Sequence, residues 1–394
     1  MMRTRMTTLA IATLLGSFPA VAEDLKTTLI DDAKLNLQFR ARFEQVDVEA
    51  QSKQDQTTLR TRLTYQSGDL YNFFTLAEVD DVRSGDDEPM IADYQYTEIN
   101  QAYIGYRAPA DSVLKYGRQR ILLDNQRFVG GVGFRQNEQT YDGFSAVSTG
   151  VQDLKAFYAY INNVNRIFSE DSGKSDHKNK THLFNLHYGA VEAAQLTGYA
   201  YLIDNLAVAR FSTDTYGVRL TGKTDIDPVK LSYALEYATQ SNGGNNTLDY
   251  RADYLSAEAR ADFSAVGLKL GYEVLGSDDG KAGFITPLAT LHKFQGWTDK
   301  FLFGGAGNWD KGITDTYIAA NTSLAGVKLL LVYHTFESDV GNIDMGQEWG
   351  ISAGYKFANY YNASIKYAAF SGADAGYGFS ADTDKLWLTL EAKF

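Results

Sequence analysis

The nine residues Leu386–Phe394 repeat with a period of two. Leu386, Leu388, Leu390, Ala392 and Phe394 share one face, while Thr389, Glu391 and Lys393 share the other. Alternation of this kind marks a β-strand with one apolar and one wet face. Left as a free edge, such a strand would template pairing with other chains. Closed against the first strand of a membrane barrel, it has no edge, and its apolar face meets lipid. The pattern therefore predicts an all-β fold, a transmembrane antiparallel β-barrel.

The same unit recurs along the chain. Leu35, Leu37, Phe39, Ala41 and Phe43 alternate with Asn36, Gln38, Arg40, Arg42 and Glu44. Leu231, Tyr233, Leu235 and Tyr237 repeat the pattern, as do Leu268, Leu270, Tyr272 and Val274. Trp349, Ile351, Ala353, Tyr355 and Phe357 follow, then Ala363, Ile365, Tyr367 and Ala369. Turn-rich breaks such as Ser241-Asn242-Gly243-Gly244-Asn245 separate them. Counting from about residue 33 predicts roughly eighteen strands, an even number being expected of a single-chain bacterial barrel. A barrel of that size is too wide for side chains to fill, and an aqueous channel is expected.

Other features agree. Arg3 and Arg5, the apolar stretch Leu9–Gly16 and Ala20-Val21-Ala22 read as a secretory signal peptide over residues 1–22, leaving residues 23–394 as one barrel domain. No later run reaches the roughly eighteen apolar residues of a spanning helix. With no Cys, neither a lipidated cysteine anchor nor a disulfide scaffold is available. Removing Arg3 and Arg5 takes the formal charge from −12 to −14, which argues against nucleic acid as a partner. The 26 Tyr and 22 Phe suit interfacial girdles, and a lipid-embedded chain this polar needs alternate residues facing a wet lumen. A secreted sandwich or solenoid is the competing all-β reading, but no fixed short repeat is visible. Phe394 at the last position also resembles the C-terminal signature of bacterial outer-membrane proteins.

Four segments are too long for turns: residues 80–97, 121–139, 166–180 and 279–312. The first carries Asp80, Asp81, Asp86, Asp87 and Glu88, a cluster that could hold Ca²⁺ or bridge to lipopolysaccharide and that reads more simply as a solvated loop. The second mixes Gly, apolar and Arg residues, which suits a loop folded back into the lumen.

The arginines are the leading functional candidates. Arg40, Arg42, Arg60 and Arg62 lie on the polar faces of neighbouring strands, where facing lipid would cost each roughly 2–4 kcal/mol at the midplane. They are expected to point inward, beside acidic rows that include Glu44, Glu78 and Asp80, giving a transverse field. Arg118 and Arg120, with Arg127 and Arg135 from the loop beyond, are expected to complete a basic constriction. Alternatively, they pair with Glu98, Asp124, Glu138 or Asp142 and brace the loop.

Chemical motifs give little else. Gly217–Thr224 matches G-x-x-x-x-G-K-[ST] letter for letter, but it alternates like a strand and leads into the turn Asp225-Ile226-Asp227-Pro228 rather than a helix. His182 and His187 are five apart, on opposite faces of a strand, so they cannot share a metal. No G-x-S-x-G elbow appears. A hydrolase of the outer-membrane phospholipase type would need a narrower barrel than the strand count allows.

Two blocks carry a family resemblance. Gly117-Arg118-Gln119, Arg127-Phe128-Val129-Gly130 and Thr140-Tyr141-Asp142-Gly143 form one, and the stretch from Phe284 to Phe301 forms the other. The chain resembles the alginate-export family of outer-membrane barrels. The resemblance implies a Gram-negative outer-membrane location and passage of solute through the lumen. The expected activity is passive diffusion of small anionic or sugar-like solutes, with export of an anionic polysaccharide such as alginate as the alternative. A structural or adhesive barrel is a third reading, favoured if large apolar residues plug the lumen. No catalysis, cofactor or metal is expected. The expected partners are outer-membrane lipids, lipopolysaccharide and the barrel-assembly machinery, with the protein a monomer.

Overall fold

The computed structural model describes residues 24–85, 91–168, 172–373 and 379–394. The signal peptide assigned to residues 1–22 lies outside them, as do Asp86, Asp87 and Glu88. Eighteen antiparallel strands form one sheet. They run β1 (Lys34–Val48), β2 (Gln54–Gln66), β3 (Phe73–Ser84), β4 (Tyr96–Ala108), β5 (Ser112–Gln119) and β6 (Thr140–Val151). Next come β7 (Leu154–Asn165), β8 (Asp176–Tyr188), β9 (Gln195–Ile203), β10 (Thr213–Ile226), β11 (Val229–Asn242) and β12 (Arg251–Asp262). The last six are β13 (Val266–Leu275), β14 (Ile313–Leu324), β15 (Val327–Glu337), β16 (Asp344–Phe357), β17 (Tyr361–Ser371) and β18 (Thr383–Lys393).

Each strand pairs with its sequence neighbours, and β1 pairs with both β2 and β18. The seam runs from Gln38 opposite Lys393 to Val48 opposite Thr383, so the predicted closure is the observed one. Its outward residues Leu388 and Leu390 are exposed, and the preceding Trp387 is buried in the lumen. No edge strand is left to pair with another chain, which satisfies the backbone within hydrocarbon.

Connections alternate in length around the rim. The end carrying both termini has tight turns such as 109–111, 152–153 and 227–228. The opposite end carries the long connections 120–139 and 276–312. Short turns face the periplasm and long loops the exterior in outer-membrane barrels, which orients the molecule. Exposed Tyr71, Phe73, Tyr188, Phe357, Tyr360 and Phe394 sit near the short-turn rim, where half-wet rings form a girdle. The acidic segment begins later than its composition suggested: Asp80 and Asp81 belong to β3, which runs to Ser84, and Tyr96 already begins β4.

Candidate functional site: the loops inside the barrel

The first and last of the three segments of the first resemblance block face each other across one strand pair. Gly117 lies opposite Gly143, Arg118 opposite Asp142 and Gln119 opposite Tyr141. Arg118 Nε reaches Asp142 Oδ1 at 3.0 Å. Gly117 has φ +129°, and a Cβ there would meet the Ala102 carbonyl at 2.3 Å, so the close approach of β4 requires glycine. Between these strands, residues 120–139 fold inward.

The first half of this loop is held by apolar contact. Ile121, Phe128 and Val129 join a buried cluster with Tyr199, Tyr201, Tyr254 and Phe284. The Phe128 ring lies 5.2 Å from those of Tyr199 and Tyr254. The loop 276–312, which contains the second block, meets it there. Val129 and Leu288 form a parallel bridge, and Gly130 N–H donates to the Leu288 carbonyl at 2.8 Å. Tyr141 Oη donates to the Gly130 carbonyl at 2.7 Å, and Gln139 Nε2 donates to the Leu288 carbonyl at 3.0 Å.

The second half is held by charge. Arg40 donates to the carbonyls of Gly133 (3.0 Å) and Arg135 (2.8 Å) and to Gln136 Oε1 (2.9 Å). Arg42 donates to the Phe134 carbonyl at 2.5 Å and Arg60 to the Gln136 carbonyl at 3.0 Å. These loop carbonyls have left water without a sheet partner, and charged donors supply the strongest replacement. Arg62 grips Asp80 through two nitrogens (2.6 and 2.5 Å) and Glu138 at 2.8 Å. Arg120 reaches Glu138 at 2.7 Å and Glu78 at 3.1 Å. Burial opposes the charge on Glu138, but Arg62 and Arg120 outweigh it and hold the carboxyl at about 2.

The expected constriction needs correction. The four arginines do not converge on one uncompensated basic constriction. Arg118, with its partner Asp142, is not in the lumen at all: it lies opposite Ala102 and in phase with the exposed Tyr116, on the outward face. Arg120 pairs with Glu78 and Glu138, and Arg135 with Glu44 (2.8 Å) and Asp299 (3.3 Å). Arg127 points to the other side of the barrel, 2.8 Å from Glu273 on β13 and 4.7 Å above the Phe294 ring. A buried guanidinium without a counter-charge costs several kcal/mol, so loop and wall evolve matched carboxylates. Apolar side chains also enter the lumen, where one cluster running from Phe128 to Phe301, Phe336 and Phe370 fills part of it.

Cavities persist around this filling. One of ≈ 830 Å³ opens at the periplasmic half, lined by Arg42, Phe134, Lys366 and Trp387. Another of ≈ 400 Å³ lies on the outer side, lined by Arg135, Arg166, Phe168, Leu291, His292 and Asp299. A third, ≈ 360 Å³, sits against β12–β15 with Glu258, Lys269, Trp297, Asp315 and His334. Phe134 and His292 separate the first two, their rings stacked with centroids 3.6 Å apart. Burial is the dominant influence on His292 and holds it at about 3 despite Asp299, so the ring is neutral. Lys366 Nζ lies 3.1 Å from His292 Nε2, which leaves the ring proton on Nδ1 to be donated to Asp299 Oδ1 at 2.7 Å.

The sequence profile described as alginate export matches residues 31–277, more than half of the chain. The protein belongs to the alginate-export family. Among solved structures, OpdK of Pseudomonas aeruginosa superposes with a TM-score of 0.73 at 15% identity, covering 93% of this chain and 99% of that one. OccK3 (OpdO) of the same organism gives 0.74 at 15%, covering 96% and 99%. OccAB4 of Acinetobacter baumannii gives 0.71 at 13%, covering 92% and 98%. At these identities the likeness speaks for the outer-membrane barrel fold. By sequence, no curated protein matches.

Other features of this alginate-export family member resolve simply. Gly217–Thr224 is continuous strand within β10, with Arg219 paired to Glu236, so no helix N-terminus is present to cradle phosphate. No group of three or more His, Cys, Asp or Glu side chains gathers as a metal site among the described residues. Asp80 is engaged by Arg62, and Asp81 by Arg83. Sequence reading missed Asp93, Asp299, Lys366, Lys385 and Trp387. Asp93 accepts from Gln136 N–H at 2.7 Å, and Lys385 reaches Asp299 at 3.0 Å. One signal was available: Trp387 lies on the wet face of the last strand, and an indole there calls for an apolar partner inside the lumen. That partner is Phe134, at a centroid distance of 5.6 Å.

Proposed function

We propose that this protein is a passive outer-membrane porin that lets small hydrophilic solutes, anionic or sugar-like, diffuse down their gradients. The observation that carries this reading is a closed eighteen-stranded barrel that keeps cavities on both sides of its inward loops. In this reading Arg40, Arg42, Arg60, Arg62, Arg120, Arg127 and Arg135, with Glu78, set the width and rigidity of the passage. The protein performs no catalysis and uses no cofactor or metal. A Pseudomonas aeruginosa OpdK structure holding vanillate, 16% identical, is in keeping with a small organic anion as solute. Polysaccharide export fits less well, since a polymer would have to displace both loops and the Phe134–His292 stack together.

In the same reading, residues 1–22 are a cleaved signal and residues 23–394 one domain, inserted by the barrel-assembly machinery among lipids and lipopolysaccharide. A sheet that closes within one chain supports a monomer. Single-channel recording of refolded protein in planar bilayers, with liposome swelling in arabinose, tests the proposal. Stepwise conductance and arabinose entry are expected. A well-folded, heat-modifiable barrel giving neither would overturn it.

A further inference from the structure

We infer that small organic monoanions with a compact apolar body are selected by Arg166 and Lys366, the cations on either side of the Phe134–His292 stack, and not by the arginine rows. This rests on the porin reading above. The wall and loop arginines form an anchoring network. Arg40, Arg42, Arg62, Arg120, Arg127 and Arg135 each have a carboxylate within ion-pair distance, and Arg60 spends its donors on the Gln136 carbonyl and Gln38. A solute anion approaching them meets a field already neutralised.

Lys366 and Arg166 are different. Among the described residues, neither has a carboxylate within ion-pair distance. Lys366 Nζ is boxed by rings, 4.1 Å from the Trp297 centroid, 4.7 Å from Phe134 and 5.6 Å from Trp387, with His292 Nε2 at 3.1 Å. It faces the ≈ 830 Å³ cavity. The Arg166 guanidinium lies 5.1 Å above the Phe168 ring, with Nη1 3.4 Å from His177 Nε2, and it faces the ≈ 400 Å³ outer cavity. Asp299 lies between the two cations, but His292, Arg135 and Lys385 all contact it.

Ring faces steady a cation without cancelling its charge, so both residues keep donors for a solute. The groups packed nearest them are largely apolar, Leu291, Leu302 and Pro287 outside and Trp297 and Trp387 inside, while the far wall of the inner cavity carries Asp262, Asn321 and Glu391. A strongly hydrated anion gains little there, because its shell must be stripped against walls that do not replace it. A carboxylate on a compact apolar body can present its charge to the cation and its body to the wall. A neutral polyol gains from neither.

The test uses the full-length refolded barrel in planar bilayers, with bi-ionic reversal potentials for sodium benzoate against sodium gluconate. Wild-type protein should prefer benzoate, and Arg166→Gln and Lys366→Gln should each lower that preference by about fivefold, the scale of one solvated charge contact. Arg166→Lys and Lys366→Arg, which keep the charge, should retain it. An unchanged ratio in both glutamine variants, or an equal loss in the charge-conserving ones, would overturn the inference. If the glutamine variants fail to insert, saturable block of wild-type KCl current by benzoate but not gluconate decides in favour, and its absence decides against. A wild-type protein that conducts KCl without preferring benzoate refutes this inference alone, whereas one that conducts no salt refutes the porin reading beneath it.

Discussion

The two halves of the 120–139 loop are anchored by opposite means. Residues 121–130 are buried by Phe128, Val129 and the rings around them, while residues 133–139 hang from Arg40, Arg42, Arg60 and Arg62. Apolar packing is tolerant, since a neighbour of similar shape can fill most of a gap. The charged half has no such latitude, because every buried guanidinium and carboxylate must find its counterpart. The difference explains why a lumen so rich in arginine need not be a basic filter: its charge fixes backbone, and selection falls to cations outside the network.

The comparison can be broken from the charged side first. Arg62→Leu strands Asp80 and Glu138 without their main partner, and about 3–5 kcal/mol of loop anchoring should be lost. The expected readout is a lower denaturation midpoint with noisier, larger conductance. On the apolar side, Phe128→Ala should cost about 3 kcal/mol, with conductance rising less because the arginine contacts hold. A larger effect from Phe128 than from Arg62 would reverse the assignment of the rigid half.

Acid sharpens the contrast. Glu138 is held at about 2 against an ordinary 4.5, so its contribution is present above pH 4.5 and is lost as pH falls toward 2, on the order of 3 kcal/mol in all. His292, held at about 3 against 6.5, takes up a proton more readily once the loop is released. Its contribution is therefore present above pH 6.5 and is lost as pH falls toward 3. Channel noise measured between pH 7 and 3 should rise in two stages, and His292→Phe should remove the stage between 6.5 and 4.5 while sparing the lower one. The smallest effect is expected on the outward face: Arg118→Gln, opposite Asp142, should change the anion-to-cation permeability ratio by less than about twofold, as for a partly exposed ion pair. A full inversion of selectivity would return Arg118 to the role of filter.

The barrel was legible because lipid enforces the period of two. Leu35–Phe43 and Leu386–Phe394 each show it, and closure of β1 on β18 follows from both. The inward loop was legible from its composition, since apolar residues beside Gly130 and Gly131 suit neither water nor a strand. The pairing inside was not legible. Which carboxylate meets Arg127 depends on the route of the loop across the lumen, and Glu273 is remote in sequence. Likewise Lys366 looked like any polar-face residue of a strand until Trp297 arrived from the 276–312 loop.

The seam between β1 and β18 also sets the order in which the interior can be finished. Phe134 packs on Trp387 and lies beneath the guanidinium of Arg42, while Asp299 is held by Lys385. The first and last strands to leave the ribosome therefore grip the same loops. Until β18 docks, the loops lack the contacts of Trp387 and Lys385, and a barrel stalled at that stage presents them to any periplasmic protease. Resistance of the 120–139 and 276–312 loops to cleavage thus reports completion of the wall, and a chain that fails to close marks itself for removal.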